Sequence, residues 1–404
     1  MHAAELAART SYGRLLSMLA VRSGDLAGAE DALAAAFLDA VEAWPRDGVP
    51  DNPDAWLWTA ARRQIVDAAR RHKTRDEKRH LLALDGELTG DDAHTDFPDE
   101  RLRLLFVCAH PAIDPAARTP LMLQAVLGLA AERIGSCLRV APKTMGQRLW
   151  RAKIKIREAR VPFEVEPENL GERLFAVLEA IYAAYGSGWE DLTFDGVASQ
   201  GLTSEAIWLA RLVVKLLPDE PEPRGLLATM LYAEARAPAR RSVPGVYVPL
   251  SEQDTSRWDG AGLAEAETML EQAAAMRRIG PFQLEAAIQS AHIHGRLSGS
   301  SDARAIAILY AGLVQVAPTL GARVAHAVAS SRADGALHGL TLLDAIEPLA
   351  LRDTYQPYWS ARAHLLEQLE RRGDAANAYD RAIGLTEDPG VRRFLLERKR
   401  RLTP

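Results

Sequence analysis

The 404-residue sequence predicts an all-α protein, and three observations carry that expectation. Apolar residues recur at spacings of three and four almost throughout, the period of a helix that buries one side. Alanine, leucine and arginine dominate while aromatic residues make up only 6% of the chain, a mix that favours helix. Apart from the short Val246–Leu250 stretch, no run alternates apolar and polar residues with the period of two that a half-buried strand needs. With 48% hydrophobic and 25% charged residues the chain reads as a water-facing protein long enough for several cores. No run approaches the roughly 18 apolar residues of a membrane span. Glu5, Arg9 and Arg14 interrupt any apolar core of a signal peptide. The expectation is therefore a cytoplasmic protein with no membrane partner. Its two cysteines, Cys108 and Cys137, suit a reducing compartment and exclude a disulfide framework.

Charge is distributed unevenly. From Arg62 to Arg79 eight Lys/Arg face three acids, and from Arg139 to Arg160 eight face one. These windows hold +5 and +7, leaving −17 for the rest of a chain whose net charge is −5. Two compact basic segments in an acidic protein point to polyanion binding at two places, with two solvated helix faces as the plainer alternative.

Taken in order, the first expected helix runs from Leu26 to Trp44, with large apolar residues at 26, 33, 37, 41 and 44 on one face and Glu30, Asp31, Asp39 and Glu42 on or beside the other. Trp44–Asp54, rich in Pro, Gly, Asn and Asp, reads as a loop. The next helix begins near Asp54, with Asn52 or Asp54 as cap and Pro53 near its start. It carries Trp56 and Trp58, then Arg62, Arg63, Asp67, Arg70 and Arg71. Aromatic rings ahead of a basic helix suit single-stranded DNA, whose phosphates the arginines hold while an unstacked base docks on a ring. The alternative is that both tryptophans are core residues. Asp85–Asp99 is acidic and reads as a linker, which makes residues 1–84 one domain and 100–160 the next.

Within 100–160, Leu127–Leu138 is expected to form a short helix with Leu127, Ile134 and Leu138 facing inward, followed by a tight turn at 139–142. Pro142 suits the first turn of a further helix. There Met145, Leu149, Ala152 and Ile156 recur at core spacing, and Thr144, Arg148, Arg151 and Lys155 recur on a different face. A short helix, a turn and a helix with one apolar and one basic stripe make a helix-turn-helix reader. Its basic stripe neutralises phosphates and presents Arg148 or Arg151 to guanine edges, with Gln147 beside them.

From 170 to 404 the pattern is one of helix pairs. Tyr310, Leu313 and Pro318, and less closely Ala375, Tyr379, Ala382 and Pro389, have tetratricopeptide-like spacing, with a shortened turn expected at Arg372–Asp374. Stacked helix pairs leave a concave face for protein segments. No catalytic site emerges, so an enzyme is not expected. Asp219, Glu220 and Glu222 lie among prolines without a nucleophile, and no glycine-rich phosphate loop occurs. Cys108 and His110, even with Cys137, fall short of a structural zinc site, and His292 and His294 read as helix-surface residues. Neither a metal nor another cofactor is expected.

Several strings resemble bacterial sigma factors of the extracytoplasmic function group. Ala29-Glu30-Asp31-Ala32 with Phe37 is similar to the polymerase-binding helix of their region 2. Asn52-Pro53-Asp54-Ala55-Trp56-Leu57 with Ala61-Arg62 and Asp67 resembles the segment that melts and reads the −10 element. Thr144-Met145 with Arg148-Leu149 and Arg151-Ala152-Lys153 resembles the region 4 helix that reads the −35 element. WPRDGVPDNP at 44–53, RLRLLFVCAHPAI at 101–113, QRLWRAKIKIR at 147–157 and the motifs at 216–222 and 250–259 resemble the subgroup whose sigma core carries a tetratricopeptide-like C-terminal domain. The resemblance implies core RNA polymerase and promoter DNA as partners, and a regulatory protein or ligand on the C-terminal domain, which would itself regulate the sigma core. It implies polymerase contacts at Glu30, Asp31, Ala34 and Phe37. DNA contacts would fall at Trp56, Arg62, Arg63, Arg70, Arg71, Thr144, Gln147, Arg148, Arg151 and Lys155. Ala34 and Ala35 stand where the group carries Gln and an acid, Ala130 and Ala131 where threonines are common, and Gly146 sits inside the reading helix at a cost of about 1 kcal/mol.

Overall fold

A computed structural model describes residues 2–72, 99–138, 140–163, 165, 169–190, 196–243, 245–347 and 352–402. Among them lie eighteen α-helices and no strand, so the chain is all-α. Val246–Leu250 pairs only through an isolated bridge between Arg241 and Tyr247. The chain divides into two compact units, Met1–Leu216 and Leu217–Pro404.

In the first unit, α1 (His2–Ser23), α2 (Leu26–Asp47) and α3 (Pro53–His72) pack together. Asp25 caps α2 by accepting from the Ala27 N–H. Leu26, Leu33 and Trp44 are buried as the spacing required, but Phe37 is only half-buried and Val41 is exposed, since both sit towards the rim of the apolar stripe. The helix continues past Trp44 to Asp47, with Pro45 inside it and Gly48, at φ +91°, donating back to the Trp44 carbonyl. The loop is therefore shorter than Trp44–Asp54. Of the two expected caps, Asn52 is the one that accepts from a helix N–H, that of Ala55, at 3.0 Å.

Asp99, the last residue of the expected linker, caps α4 (Glu100–Cys108). Residues 73–98, with the rest of that linker and the end of the first basic window, lie outside the described residues. α5 (Pro115–Leu127) ends at Gly128, whose left-handed φ of +66° closes the helix through an N–H to the Gln124 carbonyl. This break separates Leu127 from Ile134, so Leu127–Leu138 is not one helix. Ile134 is buried in α6 (Ala131–Cys137), whereas Leu127 and Leu138 are half-buried at the ends of their segments. α7 (Pro142–Glu158) follows, and then α8 (Leu170–Glu190) and α9 (Gly196–Leu216). The last two pack on each other, α8 also on α4 and α5, and α9 on α4.

The second unit consists of helix pairs. α10 (Pro221–Ala235), α11 (Gly260–Ala275) and α12 (Pro281–Ser298) form one group, followed by α13 (Ala303–Val316), α14 (Leu320–Asp334) and α15 (Ala336–Asp344). α16 (Gln356–Gln368), α17 (Arg372–Leu385) and α18 (Pro389–Arg400) close the chain around Tyr358, Leu365, Tyr379 and Leu395. Ala375, Tyr379 and Ala382 are buried together on α17, as their spacing required. The turn before α17 falls at 369–371, with Glu370 at φ +58°, so Arg372–Asp374 is the first helical turn and not a loop. His294 is exposed, but His292 is half-buried beside the Tyr310 ring, 6.3 Å away, and so departs from the surface reading.

Candidate nucleic-acid interface

α7 owes its position to a close approach at Gly135. The Val140 N–H donates to the Gly135 carbonyl at 2.8 Å, and a side-chain Cβ at residue 135 would lie 2.6 Å from the Val140 carbonyl oxygen. Only glycine lets the turn fold this tightly onto α6. With the turn fixed, Met145, Leu149, Ala152 and Ile156 enter the core, each no more than 4% exposed. A quarter-turn away lies the candidate reading face. Thr144, Gln147, Arg151 and Lys155 are exposed there, and no hydrogen bond or ion pair engages their side chains among the described residues. Arg148 belongs to the same face but is half-buried and donates to the Ala116 carbonyl at 3.2 Å. Four polar side chains are thus presented to solvent while a fifth braces α7 against the start of α5.

The third face of α7 meets α2. Lys153 forms an ion pair with Glu30, and the side chains are only 15% and 24% exposed. A cavity of about 330 Å³ lies beside this pair, with Gly146, Trp150 and Arg157 on one wall and Ala27 and Asp31 on the other. Trp150 is 64% exposed at its rim. Because successive helical residues turn by about 100°, Gly146, Trp150, Lys153 and Arg157 point nearly opposite to Thr144, Arg148, Arg151 and Lys155. Contact with α2 therefore leaves the candidate reading face open.

On α2, Glu30 is half-buried by that pairing, whereas Asp31 and Ala34 are exposed. Phe37 is half-buried and stacks on Tyr12, ring centroids 6.2 Å apart. Burial, reinforced by the charges of Glu30 and Asp31, pushes the Tyr12 hydroxyl well above the usual tyrosine range, so it stays protonated. α3 separates its two tryptophans. Trp58 is core, 2% exposed with Arg22 over its ring, while Trp56 is half-buried and meets Trp44 edge-on at 5.6 Å. Trp56 is thereby positioned by a buried ring yet keeps part of its surface open. Arg62 is half-buried and Arg63 exposed, and Arg70 and Arg71 lie on the same helix, their side chains outside the described residues. α2 touches both α3 and α7.

Sequence reasoning missed the roles of Lys153 and of α8 and α9. Arg173 of α8, 6% exposed, donates to the Phe106 carbonyl of α4, and Arg101 pairs with Glu205 and stacks over the Trp208 ring of α9. The two helices after residue 169 thus complete the core around α4 and α5. A basic residue on an apolar helix face, as Arg173 is, was the available signal. Cys108 is fully buried, and desolvation pushes its thiol up to about 12. The His110 Nδ1 accepts from the Ala112 N–H at 3.1 Å.

Residues 8–75 match the sigma-70 region 2 family, covering most of α1–α3, and residues 173–274 match a family of unknown function, DUF6596. Uncharacterized protein R00370 of Rhizobium meliloti (strain 1021) is 36% identical over 367 residues, 88% of this chain and 86% of that protein. The Mycobacterium tuberculosis protein described as probable ECF RNA polymerase sigma factor SigI, from strains CDC 1551 / Oshkosh and H37Rv, is 29% identical over 149 residues, 36% of this chain and 51% of that protein. No solved structure shows significant similarity. The sigma-70 region 2 match at the front, the similarity to a probable ECF sigma factor and the DUF6596 segment behind them are together consistent with an extracytoplasmic function sigma factor that carries a C-terminal extension.

Proposed function

We propose that the chain is a working alternative sigma factor that binds core RNA polymerase in the cytoplasm and directs it to a small set of promoters. The observation that carries this reading is the exposed face of α7, where Thr144, Gln147, Arg151 and Lys155 stand in solvent while Met145, Leu149, Ala152 and Ile156 on another face are buried. α7 is the −35 reader, the second helix of a helix-turn-helix. α3 serves the −10 element, with Trp56 offering a partly open ring and Arg62, Arg63, Arg70 and Arg71 the phosphate contacts. Asp31 and Ala34 on the outer side of α2, flanked by Glu30 and Phe37, make the polymerase contact. The tetratricopeptide-like second unit regulates this core by binding a protein segment or ligand. No chemistry is required of the protein, which acts by binding alone and is not an enzyme.

A second reading is a sigma-like regulator that binds DNA without productive polymerase contact. Two observations favour it: Ala34 and Ala35 offer no polar grip, and Glu30 is already engaged by Lys153. Co-purification of the tagged full-length chain with core polymerase separates the two. Stable capture supports the sigma factor, and DNA binding without capture supports the regulator.

A further inference from the structure

The C-terminal helix carries a third basic concentration, as dense as the two in the first unit. Between Arg392 and Arg401 six Lys/Arg stand against one acid, Glu397, and five of the six are arginines. At about 100° per residue, Arg392, Arg393, Leu396 and Arg400 fall within an arc of about 100° on one side of α18. All four are exposed. The opposite side is spent on the core: Leu395 is 2% exposed, and Val391, Phe394 and Leu402 pack against the same cluster. Phe394 also meets the Tyr247 ring edge-on at 5.6 Å. Arg398 and Lys399 are turned aside to Glu367 and Asp380. Arg392 donates to the Thr386 carbonyl, a neutral acceptor that leaves its charge uncompensated.

We propose that this arginine face of α18 is a sequence-independent contact for the phosphate backbone of duplex DNA. Arg392 and Arg400 are about 12 Å apart along the helix at 1.5 Å per residue, a span that covers three to four phosphates of one strand at about 3.4 Å of axis per charge. Arginine matches phosphate with paired, planar N–H donors, which a lysine patch would not. A membrane surface is the weaker fit, because a helix that lies in a bilayer needs a free apolar face and that of α18 is buried in its own unit. The proposal extends the DNA-binding reading of α7 without depending on it.

The test compares full-length wild type with the triple variant Arg392→Gln/Arg393→Gln/Arg400→Gln. A charge-matched control, Arg257→Gln/Arg304→Gln/Arg372→Gln, changes three exposed arginines on other elements of the second unit. Binding to a fluorescent random-sequence duplex is measured across a salt series, with thermal unfolding as the fold check. Each lost phosphate contact lowers the log–log salt slope by about 0.9, so the α18 variant should lose between 2 and 3 in slope. The control should keep the wild-type slope and unfolding temperature, and the α18 variant should still unfold in one cooperative transition, somewhat lowered by loss of the Arg392 hydrogen bond to the Thr386 carbonyl. A slope for the α18 variant equal to that of the control would overturn the proposal. So would an unchanged DNA slope accompanied by capture of phosphatidylserine-containing vesicles that only the α18 variant loses. An Arg151→Gln/Lys155→Gln variant tests α7 separately, so a failure of either surface can be told from failure of the other.

Discussion

Replacing Lys153 with methionine removes the ammonium that α7 presents to α2 while keeping most of the aliphatic stem, and replacing Glu30 with glutamine removes the partner charge. At an effective dielectric near 20 the gross attraction of a contacting pair is about 4 kcal/mol. Desolvation and the ordering of two long side chains offset much of it. Because the side chains are 15% and 24% exposed, the coupling should exceed the ~0–1 kcal/mol of a surface pair and fall short of the ~3–5 kcal/mol penalty of breaking a fully buried one. A double-mutant cycle should give about 1–2 kcal/mol. Lys153→Glu should be worse than Lys153→Met, since it faces Glu30 and Asp31 together, and adding Glu30→Lys should restore part of the loss. Six of the eight tryptophans lie before Leu216, so urea unfolding followed by tryptophan fluorescence reports chiefly on the first unit. A coupling energy indistinguishable from zero would mean that α2 and α7 are not held together in solution and would refute this reasoning.

Arg151→Ala/Lys155→Ala should lower the salt slope for duplex DNA by about 2 and leave stability unchanged, because both side chains are exposed and unengaged. Arg148→Ala should cost DNA affinity and stability together, since it also frees the Ala116 carbonyl. In the second unit, burial, assisted by the charges of Arg332 and Arg236, lowers the pKa of His292 to about 4. Neutral His292 thus contributes stability that is fully present above its unfolded value near 6.5 and is lost as pH falls towards 4, about 3 kcal/mol in all. Hydrogen exchange of α12 amides should show this loss, and His292→Gln should flatten it. A pH-independent protection in the wild type would contradict the sign and the size.

The helices themselves were legible where one face is apolar. Met145, Leu149, Ala152 and Ile156 announce the buried side of α7 because a period of 3.6 leaves no other way to cover them. Local turn chemistry was less legible. Trp44–Asp54 looks like a loop from its composition, yet burial of Trp44 and the Gly48 cap carry α2 through Pro45, whose ring is exposed to solvent. Gly128 likewise ends α5 inside what reads as a single apolar run. Long-range contacts were not legible: Glu30 and Lys153 are 123 residues apart, and nothing local to either predicts their meeting. The division of Trp56 from Trp58 sits between these cases. Alternate placement on α3 sends one ring to the core and the other to the edge of Trp44, but which is which depends on the packing of α1 and α2.

The measurement that tests the central claim most directly is run-off transcription with core polymerase, the purified chain and DNA from its own upstream region. The account predicts a discrete transcript that requires the chain and is lost with Arg151→Ala/Lys155→Ala, while polymerase capture is retained. Failure of the wild-type chain to bind polymerase or to initiate at any position, despite binding the same DNA, would contradict it.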